Sequence, residues 1–278
     1  LKFIQIDTNT ICNQRCTYCP VSRDPRGVNY ISEELFDSIL EQLKPYKLNI
    51  EYITLSSYNE PTIDPKFKLW IKKIREHGFH YWFISNGSNL KPDLTDFLLE
   101  NQVNSLILNL PSVDGEEYYK LKGIKDLDKV LKYVTYALSS GMKMSISVLG
   151  DLSKEHLARL EKVKQYFNAF SGANVYPVII VNRAGNLSQP KFNKKKLRGC
   201  MSNFCRLFNW VHINSEGKCF ICCQDFKEDY IIGDLKTEAL EQILRSDKMS
   251  QLKRWAYGVE NAPDNFICRK CEFAITED

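Results

Sequence analysis

The 278-residue chain has no apolar run near the ~18 residues that a membrane helix needs. Its longest comparable stretch, residues 175–181, is short and contains Pro177. An apolar signal core is also missing, since residues 1–8 alternate in character, which predicts a chain that is not exported. Charge of one sign is scarce: 38 Lys plus Arg face 34 Asp plus Glu, and the net +4 gives no general electrostatic case for a nucleic-acid partner. No internal repeat or low-complexity tract is visible, and 44% hydrophobic with 26% charged residues excludes disorder or a fibrous fold. Histidine is rare, at four residues. Cysteine is not: there are ten. An even count would suit five disulfides in a secreted protein, but a chain of this length does not need such staples, so clustered thiols are expected to be metal ligands in a reducing cytoplasm.

Short β-like runs alternate with amphipathic helical stretches over the first two-thirds of the chain, the pattern of parallel strands joined by helical crossovers. Six strands are expected near residues 3–7, 52–56, 80–85, 105–110, 144–148 and 175–181, with five helices between them. Ser32 caps the first helix, Glu33 and Glu34 suit the positive end of its dipole, and Leu35, Phe36, Ile39, Leu40 and Leu43 share a face. The second helix closes at Gly78 and the fourth, around Val130, Leu131, Val134 and Leu138, at Gly141. Six right-handed βα units build an α/β fold, a partial (β/α)6 barrel whose site belongs at the C-terminal strand ends. After Val181 the texture becomes polar, basic and then rich in cysteine. We therefore divide the chain into a barrel over residues 1–185 and a small α+β module over residues 186–278. In the module two β runs flank Asn214-Ser215-Glu216-Gly217, and a helix follows near residues 238–245.

Cys12, Cys16 and Cys19 form Cys-x3-Cys-x2-Cys just after the first strand. Structural zinc wants four ligands, and no histidine is close in sequence; an iron-sulfur cube on three thiolates keeps one iron open. The run Cys12-Asn13-Gln14-Arg15-Cys16-Thr17-Tyr18-Cys19 resembles the signature of the radical S-adenosylmethionine (SAM) superfamily. That resemblance implies a 4Fe-4S cluster whose unique iron chelates SAM, reductive cleavage of SAM to a 5'-deoxyadenosyl radical, and an external one-electron donor such as flavodoxin or ferredoxin. It sets Tyr18 against the adenine. Ser57-Tyr58-Asn59-Glu60-Pro61 is similar to the family's Gly-Gly-Glu-Pro segment, which receives the SAM amino group, with Tyr58 and Asn59 in place of the glycines. By the same resemblance Ser85, Asn86, Asn109 and Arg183 contact the ribose and carboxylate of SAM.

Seven more cysteines lie in the C-terminal module: Cys200, Cys205, Cys219, Cys222, Cys223, Cys268 and Cys271. Cys205-x11-Gly217-x4-Cys222 resembles the opening of the SPASM domain, a cluster-bearing extension of some radical SAM enzymes, and only Cys268-x2-Cys271 follows it, as in the shortened Twitch version. The resemblance implies one auxiliary 4Fe-4S cluster on Cys205, Cys222, Cys268 and Cys271, with Cys200 as the first substitute. Cys219 and Cys223 are read as packed thiols. By spacing alone a zinc ribbon fits this module nearly as well.

A fully ligated auxiliary cluster has the exchange of electrons as its natural task, so the expected activity is oxidation: hydrogen abstraction from C–H, loss of a proton, and transfer of an electron to the cluster. Asp7, Tyr58, Asp114 and His212 are candidate bases by residue type. Chain size, the single auxiliary cluster and the eleven residues ahead of Cys12 favour a small polar metabolite, such as a sugar or aminocyclitol, over a ribosomally made peptide. The basic run Lys191, Lys194, Lys195, Lys196 and Arg198 is read as a solvated linker, with neither nucleic acid nor membrane as partner. Two alternatives stand beside this reading: a maturase of a peptide or protein, and a zinc-stabilised binding module without chemistry.

Overall fold

The computed structural model describes residues 1–189, 192–202 and 206–277, so that Lys191 and Cys205 lie outside the described residues. In chain order its strands are β1 (Phe3–Ile6), β2 (Tyr52–Thr54), β3 (Tyr81–Ser85), β4 (Ser105–Asn109), β5 (Met144–Gly150), β6 (Ala173–Ile179), β7 (Leu197–Cys200), β8 (Trp210–Ile213), β9 (Lys218–Phe220), β10 (Ile231–Asp234) and β11 (Ala274–Thr276). Its helices are α1 (Glu33–Leu43), α2 (Phe67–Glu76), α3 (Pro92–Glu100), α4 (Gly115–Lys122), α5 (Leu127–Ser139), α6 (Lys154–Phe167), α7 (Arg206–Asn209), α8 (Leu240–Arg245) and α9 (Asp247–Ala256). Among the described residues no helix is long and apolar enough to cross a membrane.

All six strands expected in the first two-thirds are present, but six helices separate them rather than five. The additional helix is α4, between β4 and β5. Gly-Glu-Glu-Tyr-Tyr-Lys-Leu-Lys is too polar for an apolar stripe to mark it, and its ends specify it instead. Asp114 Oδ1 accepts from the Glu117 N–H at 2.9 Å, Glu116 and Glu117 occupy the first turn, and Lys120 and Lys122 the last. Gly123 at φ 70° closes it.

The chain forms two compact units. The first comprises Leu1–Asp7, Tyr30–Ile53 and Val181–Asp278; the second comprises Thr8–Asn29 and Thr54–Ile180. In the second unit β3, β4, β5 and β6 are parallel neighbours in sequence order, with Ile84 opposite Ile107, Ile107 opposite Ser145, and Ser145 opposite Asn174. β4 alternates half-buried and buried residues, with Leu106 and Leu108 wholly inside, and α5 turns Leu127, Val130, Val134, Ala137 and Leu138 inward at helical spacing. β6 ends the strand order, and there Pro177 is tolerated because an edge strand has no ladder bond to lose on its outer side.

In the first unit β1 pairs in parallel with β8, Phe3 opposite Trp210 and Ile6 opposite Ile213. β8 and β9 form the expected hairpin, and β10 extends it antiparallel. Asn214 closes the hairpin turn by accepting from the Glu216 and Lys218 N–H groups at 3.0 and 2.9 Å. The Ser32 Oγ caps α1 on the Leu35 N–H at 3.2 Å, and Gln42 near the other end of α1 receives the Leu240 N–H at 2.8 Å, tying α1 to the start of α8. β7 and β11 make a separate two-stranded sheet in which Cys200 stands opposite Ala274.

That small sheet rests on a glycine. Gly258 has φ 67°, and a Cβ there would sit 1.9 Å from the Leu197 carbonyl oxygen, inside any permitted contact. Gly258→Ala is expected to cost ~1–3 kcal/mol and to lower the urea midpoint without changing the slope of the transition; an unchanged midpoint would show that β7 does not depend on this approach.

Candidate functional site

Cys12, Cys16 and Cys19 belong to the loop after β1, and that loop is fixed by α4. The Arg15 N–H donates to the Lys122 carbonyl at 2.9 Å and the Thr17 N–H to the Leu121 carbonyl at 3.0 Å, so the carbonyls of the last turn of α4 find their donors in the cysteine loop. The approach is close enough that a Cβ on Gly123 would stand 2.9 Å from the Arg15 carbonyl oxygen. Side chains repeat the connection: buried Gln14 donates to the Tyr118 hydroxyl at 2.9 Å, which donates to Asp126 Oδ1 at 2.9 Å. Cys16 and Tyr18 pack with Leu149, flanked by Cys19, Leu121 and Val178.

Burial pushes the Cys12 thiol up to about 12, and Glu60, Cys16 and Cys19 add to that, so the three sulfurs are near enough to feel one another. Thiols in such a place stay anionic only against a positive centre, which is what an iron cluster offers. Among the described residues there is no group of three or more His, Cys, Asp or Glu that could hold a metal ion. A cube takes each thiolate on a separate iron and suits a wider spread of sulfurs.

Several residues expected to contact SAM meet around this loop. The Tyr18 hydroxyl donates to Asn109 Oδ1 at 2.9 Å, at the end of β4. Asn86, just after β3, donates from Nδ2 to Asn13 Oδ1 at 2.9 Å, with Cys12 Sγ at 3.9 Å; Asn13 in turn donates to Ser88 Oγ at 2.8 Å. Glu60 is turned inward. Its carboxylate accepts from the Thr62 N–H and hydroxyl, from Ser85 Oγ at 2.9 Å and from the Asn86 N–H at 2.7 Å. Burial raises its pKa against those hydrogen bonds. Asn59 shapes the preceding turn, accepting from the Ser57 N–H at 2.9 Å and donating to the Leu55 carbonyl at 3.2 Å. Arg183 belongs to the other unit, at φ 54°, where its charge helps to lower the Cys223 thiol. The sequence reading gives Asn13 and Gln14 no role beyond spacing the cysteines and does not single out Tyr118 or Asp126: partners up to 104 residues apart leave no mark in local spacing.

The first unit gathers the second set of thiols. Cys200, Cys222, Cys268 and Cys271 line a cavity of about 400 Å³, part of it open to solvent, together with Gly199, Arg206 and Gln224. The Cys-x2-Cys turn is held by Arg269, whose guanidinium donates to the carbonyls of Ala262, Pro263, Asn193 and Lys195 at 2.9 to 3.1 Å. Burial raises Cys268, and raises Cys271 to about 11. Cys222 and Cys223 share a hydrogen bond that lifts the former and lowers the latter, with Arg206 Nη1 2.6 Å from Cys223 Sγ. Cys219 stands apart from this group, on β9 opposite Gly233, where burial pushes it up to about 12. None of the nine cysteines among the described residues forms a disulfide.

The four candidate bases fare differently. Asp114 is engaged as the cap of α4. Asp7 and Tyr58 are buried, the latter with the Arg26 guanidinium 5.8 Å from its ring. His212 is wholly buried, stacked on Trp210 at 5.6 Å, and burial followed by the charge of Arg206 brings it down to about 3, which keeps the ring neutral.

Comparison with known proteins follows the same lines. Residues 205–272 match the model of an iron-sulfur cluster-binding domain, SPASM. The tungsten-containing aldehyde ferredoxin oxidoreductase cofactor-modifying protein of Pyrococcus furiosus is 23% identical over 172 residues, 60% of this chain and 48% of that protein. A probable GTP 3',8-cyclase of Sulfurisphaera tokodaii is 20% identical over 166 residues, 59% of this chain and 51% of that one. The chain thus spans about half the length of these curated relatives. Among solved structures, BtrN in complex with AdoMet and 2-DOIA matches with a TM-score of 0.66 at 18% identity, over 99% of this chain and 92% of that one. SuiB of Streptococcus suis bound to precursor peptide SuiA matches with a TM-score of 0.73 at 14% identity, over 98% and 69%. These likenesses show the fold, α/β with a parallel-stranded partial barrel and a small cluster-binding domain after it. The Radical SAM superfamily model matches residues 6–163, more than half of the sequence and all of the first cysteine loop, and the chain belongs to that superfamily.

Proposed function

We propose that this chain is an oxidative radical SAM enzyme acting on a small polar metabolite of the sugar or aminocyclitol type. Cys12, Cys16 and Cys19 hold the SAM-binding 4Fe-4S cluster. Cys222, Cys268 and Cys271 hold an auxiliary one, completed by Cys205 or by Cys200. The observation that carries the oxidative reading is the second gathering of thiols around one cavity, because a second cluster gives the substrate's electron somewhere to go. With SAM and both clusters bound, the cofactors supply a radical that removes one hydrogen atom from a substrate C–H bond and an acceptor for the electron that the substrate then loses along with a proton.

The protein's own part is positioning. Tyr18, hydrogen-bonded to Asn109, offers a ring whose tilt is set from the polar end, as the adenine of SAM would require. Asn86 stands beside Cys12 and supplies polar contacts for the amino acid or ribose end of SAM, and Glu60 keeps it there by holding its N–H. Glu60 is thus a brace for the SAM contacts.

The metabolite reading draws support from the match to the structure holding 2-DOIA, which extends over 92% of that chain, against 69% of the chain bound to a precursor peptide. Maturation of a peptide is the second reading, favoured by the higher TM-score, 0.73, of the peptide-bound neighbour.

Anaerobically prepared protein is expected to hold about eight irons per chain and to release 5'-deoxyadenosine from SAM after reduction. Replacing Cys12, Cys16 and Cys19 together by Ala should remove about four of those irons and abolish that release; retained cleavage, or zinc in place of iron, would overturn the reading. Deuterated polyols and aminocyclitols should pass deuterium into 5'-deoxyadenosine, whereas label arriving only from a peptide would select the second reading. Glu60→Gln puts an amide N–H among the donors of Ser85, Thr62 and Asn86, so a loss of ~1–3 kcal/mol in stability and a roughly tenfold weaker Kd for SAM are expected, checked by thermal unfolding and equilibrium binding.

A further inference from the structure

Two polar side chains on the wall of the thiol-lined cavity have bonding capacity left over. Gln224 is 2% exposed, yet neither its Nε2 nor its Oε1 finds a hydrogen-bond partner among the described residues. It lines the cavity with Cys200, Cys222, Cys268 and Cys271, and its backbone N–H lies 3.5 Å from Cys222 Sγ. A buried primary amide left unpaired is costly, so an acceptor is called for where it faces. Arg206 lines the same cavity. Its Nη1 reaches Cys223, its Nε is likewise unpaired, and Trp210 stands 5.7 Å from the guanidinium carbon. An arginine guanidinium keeps its charge at any physiological pH, so this wall of the cavity is cationic.

These donors are of the kind that act on iron-sulfur clusters from outside the ligand shell. Adding an electron to a cluster adds negative charge to its sulfurs; a nearby cation and N–H···S hydrogen bonds stabilise that reduced form more than the oxidised one. We propose that Arg206 and Gln224 are tuning residues that raise the reduction potential of the auxiliary cluster, making it an acceptor for the electron that leaves the substrate. The inference rests on the auxiliary-cluster reading above, in which the substrate radical is oxidised by one electron, the cluster is reduced by one and the proton goes to solvent or a base, and it adds the residues that set the cluster's potential.

The test uses the full chain with Cys12, Cys16 and Cys19 replaced by Ala, so that only the auxiliary cluster is present, and reads its midpoint by an EPR-monitored redox titration. Arg206→Gln is expected to lower the midpoint enough to shift the reduced-to-oxidised ratio at fixed potential by about tenfold, which for one electron is about 59 mV. Arg206→Lys, which keeps the charge but loses the planar donor fork, should fall between the two. Gln224→Leu should shift the ratio in the same direction by about threefold, in keeping with the loss of one neutral donor. Midpoints unchanged in all three variants, with about four irons retained, would overturn the proposal. Loss of the iron from all three would make these residues holders of the cluster instead of tuners and would overturn it equally. Failure of the auxiliary-cluster reading looks different: the parent chain itself would then bind no iron.

Discussion

The bonds between the cysteine loop and the end of α4 are the constraint on which the site depends. Three thiols spread over eight residues would sample many arrangements, and ordering them costs on the order of 1–2 kcal/mol of backbone entropy per residue. The Arg15 and Thr17 N–H groups answer two orphan carbonyls of α4, so loop and helix satisfy each other and one ordering serves both. The Gln14–Tyr118–Asp126 chain adds a second tie outside the backbone. A short polar helix that buries Tyr118 and Lys122 thereby fixes the loop that carries the chemistry.

A second hub lies at Glu60. A fully buried carboxylate is expensive unless hydrogen bonds replace its water, and here donors from Thr62, Ser85 and Asn86 do so. Because Thr62 follows β2 while Ser85 ends β3 and Asn86 follows it, the carboxylate joins the loops at two successive strand ends. The same group reaches the cysteine loop through its backbone, where the Glu60 N–H donates to the Ile11 carbonyl at 2.9 Å. Strand ends, turn and cysteine loop are thus cross-linked by short polar bonds in a place where water competes poorly.

What could be read from the sequence, and what could not, follows from the range of the forces involved. The six strands and α5 are announced by local periodicity, since apolar positions repeat within each element. The three cysteines and Tyr18 stand in one short run and are legible for the same reason. α4 was hidden because caps, charges and a distant loop specify it, with no apolar stripe. The helix count between β1 and β6 fell one short for that reason. The Gly217-x4-Cys222 spacing singles out Cys222 as a ligand, but it gives no reason to separate Cys219 from Cys223, both read as packed thiols. The fold separates them: Cys219 is buried on β9 opposite Gly233, while beyond β9 Cys222 lines the cavity and Cys223 meets Arg206. Arg269 was equally unreadable, as its four acceptors lie on two separate stretches of chain.

The thiol cavity of the first unit and the folding of its chain ends are one problem. β7 and β11 are more than seventy residues apart, and pairing two short strands across so long a loop repays little of the closure entropy by itself. Arg269 helps by binding the carbonyls of Asn193 and Lys195, which fixes the path of the polar segment that leads into β7. Lys194, Lys195 and Lys196 of that segment are exposed. The sulfurs of Cys200 on β7 and of Cys268 and Cys271 before β11 then meet at one cavity. Any cluster bound there spans the same long loop that the strands close, and because its affinity belongs only to the folded arrangement, metal binding adds directly to the stability of the β7–β11 sheet. The stability of this module and its hold on any cluster accordingly draw on the same few bonds.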